Sequence, residues 1–203
     1  MPSIYVAVLA DYNAGNLTGE WVDLDGLDAD DLREEIARIL RTSKHPNVTV
    51  PCPTCGDEEE HPADCADCHG RGEVPSAEEW AIHDYEDMPS LGEYPSVATI
   101  IEAVERITPP AGVDDDEWAA YLEHCDDVGK EPSEEDLDDC RAGSGMSELD
   151  WCEEFLESCG TLDSIPANLR AYFDTRAYLR DMKLGGDVDF VEHNGTTYAF
   201  WRH

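Results

Sequence analysis

The sequence predicts an α+β fold. Three observations carry that expectation: apolar residues alternate at Ile4, Val6 and Val8, capped helical stripes recur through the middle of the chain, and Asn194-Gly195 stands between β-rich arms near the end. Ser3–Leu9 reads as a first strand, the turn-rich stretch Asp11–Gly19 as its connection, and Glu20–Leu24 as an antiparallel second strand. Asp28 offers an N-cap with Asp31 three residues on, ahead of the stripe Leu32, Ile36, Ile39 and Leu40; this helix fades at Ser43–Pro46. Residues 46–75 hold Pro, Gly, acids and four Cys with few aliphatic side chains, the composition of a separate metal-bound insertion. Residues 78–86 fit two patterns: Ser76 with Glu79 resembles a capping box, while Ala81, His83 and Tyr85 alternate with Trp80 and Ile82 as a strand would.

Ser96 then opens a helix with Val97, Ile100, Ile101, Val104 and Ile107 on one face, stopped by Pro109-Pro110. Asp114–Cys125 forms an acidic helix that buries Trp118, Tyr121 and Leu122. Ser133 caps a short acidic helix running toward Cys140. Ser147 caps another, with Leu149, Cys152, Phe155, Leu156 and Cys159 inward and Glu153, Glu154 and Glu157 outward. Ser164 introduces a helix with Leu169, Tyr172, Phe173, Leu179 and Met182 inward, ended by Gly185-Gly186, and Asp187–Trp201 closes the chain as a hairpin.

Charge is the strongest compositional signal: 48 Asp and Glu against 13 Lys and Arg give a formal −35 over 203 residues. The excess is regional, −11 over residues 1–75, −23 over 76–160 and −1 over 161–203. Phosphates repel such a chain, so it is no general DNA binder; it can instead imitate DNA. Duplex DNA carries one charge per ~1.7 Å of axis, so this excess corresponds to roughly 60 Å of duplex. Salt adaptation is the competing account, favoured by only three Lys (Lys44, Lys130, Lys183) and opposed by the near-neutral last forty residues. The longest apolar run, Ile4–Ala10, is too short to cross a bilayer and no basic region precedes it, which predicts a cytoplasmic protein without a membrane partner.

Cys52-Pro-Thr-Cys55 and Cys65-Ala-Asp-Cys68 supply four soft thiolates in two Cys-x-x-Cys pairs, the spacing that suits one tetrahedral Zn ion. Cys65 to Gly72 also resembles the Cys-x-x-Cys-x-Gly-x-Gly unit of DnaJ-type chaperones. Four protein ligands close the coordination sphere, so the expected role is structural, with His61 and His69 as exposed bystanders. His83-Asp84 could pair a base with an orienting acid, but no nucleophile motif accompanies it. Asp23-x-Asp25-Gly26 lacks the Gly a calcium loop needs at the sixth position, where Asp28 stands. Cys125, Cys140, Cys152 and Cys159 have no paired spacing, and the chain carries no phosphate-binding loop, dinucleotide fingerprint or serine elbow. These residues predict a protein that is not an enzyme.

The chain resembles the ArdA antirestriction family through the segments Ile4-Tyr-Val-Ala-Val-Leu-Ala-Asp-Tyr-Asn-Ala-Gly-Asn-Leu-Thr-Gly-Glu-Trp21, Glu78-Glu-Trp-Ala-Ile-His-Asp-Tyr-Glu86, Glu93-Tyr-Pro-Ser96 and Ile165–Asp187, in the family's order. The resemblance implies a DNA mimic that inhibits type I restriction-modification enzymes, built as an elongated α+β chain of three small domains in series and forming a homodimer. It implies domains at 1–89, 90–130 and 131–203, and it makes Ala81–Tyr85 a strand of the first. It also fits an origin on a mobile genetic element. The departure is residues 46–75, which the family passes over almost directly; the cysteine module could clip a long loop, lengthen the mimic through Asp57–Glu60, or contact another partner.

No single active residue carries over, because mimicry is distributed. The expected surface comprises Asp114, Asp115, Asp116, Glu117, Asp126, Asp127, Glu131, Glu134, Glu135, Asp136, Asp138, Asp139, Glu153, Glu154 and Glu157, facing the Arg and Lys of a restriction enzyme's DNA groove. A different class of function, a zinc-dependent protein-binding module or chaperone accessory, rests on the cysteine pairs alone. A zinc hydrolase is disfavoured by the closed ligand set. The near-neutral C-terminal region is where two copies could approach most easily.

Overall fold

The computed structural model describes residues 1–56 and 60–202. Their contacts form two compact units, Met1–Glu105 and Arg106–His203, and the fold is α+β, with three small antiparallel sheets.

In the first unit, β1 (Ser3–Val8), α1 (Leu9–Asn13), β2 (Gly19–Asp23), α2 (Ala29–Leu40), β3 (Val48–Pro51), β4 (Glu73–Ser76), β5 (Trp80–Glu86) and α3 (Val97–Ile107) follow in order. The alternation of β1 sends Ile4, Val6 and Val8 into a core completed by Val22, Leu32, Ile36, Ile39, Ile82 and Ile100. Burying each of these aliphatic side chains contributes about 1.5–3 kcal/mol, enough to fix β1 at the centre of a sheet ordered β2-β1-β5. The ambiguous segment 78–86 is therefore a strand. Asp28 accepts from the backbone of Asp30 and Asp31 while Asp31 accepts from Asp28, so the capping box read in the sequence starts α2. Tyr85 donates its hydroxyl to the carbonyl of Gly92, fixing the loop after β5.

Two expectations change here. The connection Asp11–Gly19 begins as a short helix, because Asp11 is fully buried and ordered: its carboxylate accepts from Ser43 Oγ at 2.9 Å, Lys44 N at 2.9 Å and His45 N at 2.8 Å. Residues 48–51 and 73–76 also pair as a two-stranded ribbon that carries the cysteine module, with Val50 opposite Val74.

The second unit contains α4 (Asp115–Val128), α5 (Glu134–Cys140), β6 (Arg141–Ser144), α6 (Glu148–Ser158), α7 (Thr175–Gly185), β7 (Val188–His193) and β8 (Thr196–Trp201). Asn194 and Gly195 both take positive φ, 45° and 78°, as a two-residue hairpin turn requires. Strand β8 serves two cores by its period of two: Tyr198 and Phe200 pack with Trp118, Tyr121 and Leu137, while Ala199 and Trp201 pack with Trp151, Leu156 and Leu179. Strand β6 was not anticipated, since Arg-Ala-Gly-Ser has no strand pattern; its pairing with β8 holds it.

The helix expected from Ser164 is absent in its first half. Residues 162–164 and 170–172 form single 3₁₀ turns, and Leu169 and Tyr172 are exposed rather than inward. Pro166 disfavours helical backbone at Ile165, and the Asp174 carboxylate accepts from Ala177 N at 3.0 Å, starting α7 at Thr175 instead. Cys159, expected inward, is exposed. Among the described residues no helix is long and apolar enough to cross a membrane.

Burial pushes the Asp11 carboxyl up, but hydrogen bonds from the Lys44 amide, the Ser43 hydroxyl and the His45 amide outweigh it and bring the group down to about 2 from a usual 3.8. A carboxyl depressed in the folded state stabilises fully above its unfolded pKa of ~3.9 and loses that stabilisation as pH falls through its folded value. The Asp11→Asn variant should be less stable by at least about 2 kcal/mol near neutral pH, the gap closing between about pH 4 and pH 2 in urea unfolding curves.

Candidate acidic surface and four-cysteine centre

The acidic residues singled out in the sequence lie on α4, the following loop, α5 and α6. Asp114 caps α4 by accepting from Asp116 N and Glu117 N, and Ser133 and Ser147 cap α5 and α6 through Asp136 N and Asp150 N. These caps place acids in each first turn, where the helix dipole favours them. Asp115, Glu131, Glu134, Glu135, Asp136, Asp139, Glu153, Glu154 and Glu157 are exposed, and none forms an ion pair among the described residues.

The others are engaged within the chain. Arg141 grips Glu117 with two nitrogens, at 2.7 and 3.1 Å, and reaches Asp138 at 2.8 Å. Asp126 and Asp127 occupy the last turn of α4, where the dipole disfavours anions, and each is met by an arginine: Arg106 at 2.5 Å and Arg202 at 2.7 Å. Asp116 accepts from Asn194 Nδ2 at 2.7 Å. Helix α4 is further tied to β7 by His124, buried against Asp189 at 2.9 Å, and by His193, 3.1 Å from Glu123. Sequence reasoning missed this division, because the arginines come from positions far along the chain and no local spacing announces them.

The module between β3 and β4 brings Cys52, Cys55, Cys65 and Cys68 together, all buried, with their four sulfur atoms within 4.8 Å of one another. Three of the Sγ–Sγ separations are 3.7, 3.6 and 3.4 Å. Four thiolates about 2.3 Å from a tetrahedral ion would stand roughly 3.7 Å apart, so the set can hold one metal ion. Each knuckle turns its backbone inward, with Gly56 N donating to Cys52 O at 2.7 Å and His69 N to Cys65 O at 3.0 Å. A Cβ at Gly56 would sit 2.6 Å from Cys52 O, so only glycine closes that turn. Burial pushes the Cys68 thiol up, yet the Gly72 amide, the neighbouring thiols and the Gly70 amide bring it below the usual thiol range, while burial raises Cys55.

Thr54 Oγ1 donates to Asp67 Oδ2 at 2.5 Å, joining the two knuckles outside the sulfurs. His61 turns its Nδ1 to Cys55 O at 2.9 Å, and its Nε2 lies toward Gly72; His69 lies exposed. Of the acids at Asp57–Glu60, residues 57–59 lie outside the described residues. His83 and Asp84 are exposed on β5, with no nucleophilic side chain hydrogen-bonded to either among the described residues.

Comparison with protein families matches a model described as antirestriction protein (ArdA) over residues 4–197. The chain belongs to the ArdA antirestriction family. The match runs from β1 into β8 and therefore takes in both units. Members of this family are inhibitor proteins that target type I restriction-modification enzymes. Comparison with curated proteins gives no match.

Paired and unpaired carboxylates should respond oppositely to neutralisation. Glu117→Gln breaks a partly buried bidentate pair and should cost about 1 kcal/mol, whereas Glu135→Gln should stay within about 0.5 kcal/mol of the parent or stabilise it, as measured by thermal or urea unfolding.

Proposed function

We propose that this antirestriction protein inhibits type I restriction-modification enzymes by imitating DNA, occupying their DNA-binding groove through a distributed acidic surface. The observation that carries the reading is the set of exposed, unpaired carboxylates on α4, α5 and α6. A groove that binds DNA presents Arg and Lys to phosphates. Carboxylates offered there form charge-assisted hydrogen bonds and displace the same counterions. Asp115, Glu131, Glu134, Glu135, Asp136, Asp139, Glu153, Glu154 and Glu157 meet the enzyme's cations directly. Asp114, Asp116, Glu117, Asp126, Asp127 and Asp138 add to the field while holding α4 and α5 in place. The protein acts in the cytoplasm as a homodimer, the near-neutral segment 161–203 letting two copies approach, and it performs no catalysis.

The four cysteines hold one structural zinc ion in this reading. Its ligand sphere is complete without water, so its contribution is to fold residues 46–75, an insertion relative to the family, and to hold them there.

Titrating the protein into a type I modification enzyme bound to labelled DNA should displace the DNA stoichiometrically, and less effectively as salt rises. Absence of displacement at low salt would refute mimicry. Neutralising Glu134, Glu135, Asp136 and Asp139 together should weaken competition roughly tenfold or more, while any one alone changes it less than about threefold.

Elemental analysis of the purified protein should give one zinc per chain. Replacing Cys52 and Cys55 by Ser should remove the metal and increase proteolysis within residues 46–75 while leaving DNA displacement nearly intact; loss of displacement would instead favour a zinc-dependent binding module.

A further inference from the structure

The outer face of the first sheet carries an arrangement that inhibition by acidic helices does not use. Strand β1 buries Ile4, Val6 and Val8, so Ser3, Tyr5 and Ala7 face the other way. The register places Trp21 and Asp84 on either side of Tyr5, and Asp23 and Glu86 on either side of Ser3. Two adjacent rows across three strands thus read Trp-Tyr-Asp and Asp-Ser-Glu, with no basic residue in either.

A β-bulge shapes the face further. Tyr5 pairs with Asp84 but Val6 pairs with Ile82, which leaves His83 unmatched. Ile82 is buried and Tyr85 packs on the core, while His83 and Asp84, neighbours in sequence, are both exposed. On the other strand Gly19 lets the Tyr5 ring lie close: a Cβ there would stand 2.8 Å from Tyr5 Cε1. The result is a cleft of about 390 Å³ whose lining includes Tyr5, Tyr12, Leu17, Trp21, His83 and Asp84. Tyr5 meets Trp21 edge to face at 5.6 Å, and Tyr12 meets His83 likewise at 4.9 Å. Tyr12, Leu17 and Trp21 are 51%, 84% and 47% exposed, a concentration of solvent-facing apolar surface beside the Asp84 carboxylate, with Asp23 and Glu86 in the adjacent row.

We infer that this cleft binds an arginine side chain presented by a partner protein. Aromatic rings attract a cation through their negative faces, and a carboxylate at the edge of the cleft adds a charge-assisted hydrogen bond. Asp84 Oδ1 accepts from Tyr85 N at 2.9 Å, which leaves Oδ2 to receive a guanidinium N–H. The Met1 ammonium beside Asp23 and Glu86 pairs directly with Asp87, at 2.6 Å, and acts on the other two only through its field. A nucleic-acid base could stack on the same rings, but its phosphates would be repelled by Asp23, Asp84 and Glu86. A neutral apolar group would leave those carboxylates unused. Arginine is favoured over lysine because its planar guanidinium stacks on a ring and forks toward a carboxylate at the same time.

The site lies wholly within the first unit and does not depend on the mimicry proposed for α4, α5 and α6. The test uses the full chain and a short capped peptide of glycines around one arginine, followed by ¹H–¹⁵N spectra that include the Trp21 indole N–H. Saturable movement of the Trp21, Tyr5, His83 and Asp84 signals is expected. The citrulline peptide, equal in shape but uncharged, should bind at least about threefold more weakly, and Asp84→Asn should weaken the arginine peptide to a similar degree. Equal binding of the arginine and citrulline peptides, movement confined to α4, α5 and α6, or no movement at all would each overturn the assignment. Because the citrulline comparison uses the unaltered protein, the result does not depend on any variant folding.

Discussion

Mutual repulsion among carboxylates is the condition under which every element of this protein must form. A chain with a formal charge of −35 gains little by burying acids and loses compactness by crowding them, so its few cations must be placed where they offset the most repulsion. The second unit shows where. Arg106 and Arg202 meet Asp126 and Asp127 at the end of α4, where peptide dipoles and side-chain charge would otherwise add unfavourably. Arg141 joins Glu117 of α4 to Asp138 of α5. With these cations committed to the joints, Glu134, Glu135, Asp136 and Asp139 of α5 and Glu153, Glu154 and Glu157 of α6 stay unpaired among the described residues. Structural economy and an anionic surface thus have one origin: cations hold helices to each other and leave the helices' solvent faces negative.

That division was only half legible in the sequence. Local chemistry was readable: Asp28 with Asp31, Ser133, Ser147 and Asn194-Gly195 each act within a few residues and do in the fold what their spacing announced. The two Cys-x-x-Cys pairs were readable for the same reason, since each knuckle closes on itself. What needed distant partners was not. Strand β6 exists because β8 pairs with it, the β3–β4 ribbon because two unremarkable segments flank the cysteines, and the Arg202–Asp127 contact because a hairpin returns the chain's end to α4. The false helix after Ser164 shows the converse error. Apolar residues at helical spacing read as a stripe, but Pro166 and the stronger cap at Asp174 decide where the helix begins.

The first sheet adds a second lesson about faces. One side follows the simple rule that alternating aliphatics seek the core. The other side is organised by a bulge, which alternation cannot reveal: removing the extra residue would turn His83 or Asp84 inward and break the row formed with Tyr5 and Trp21. Two surfaces of different chemistry therefore share one chain, a carboxylate-rich helical one and an aromatic one edged by carboxylates.

Strand β1 lies at the centre of its sheet, yet one of its two partners arrives only after the whole cysteine module, Val6 finding Ile82 across that stretch. Closing a loop costs entropy that grows with its length. The module subdivides that loop: Asp11 fastens residues 43–45 beside β1, the β3–β4 ribbon brings the two ends of the segment together, and the sulfurs draw in what lies between. Each of these contacts shortens the flexible chain left between β1 and β5. Left undivided, the same segment would have to be closed as one long loop, the kind of contact that forms slowly.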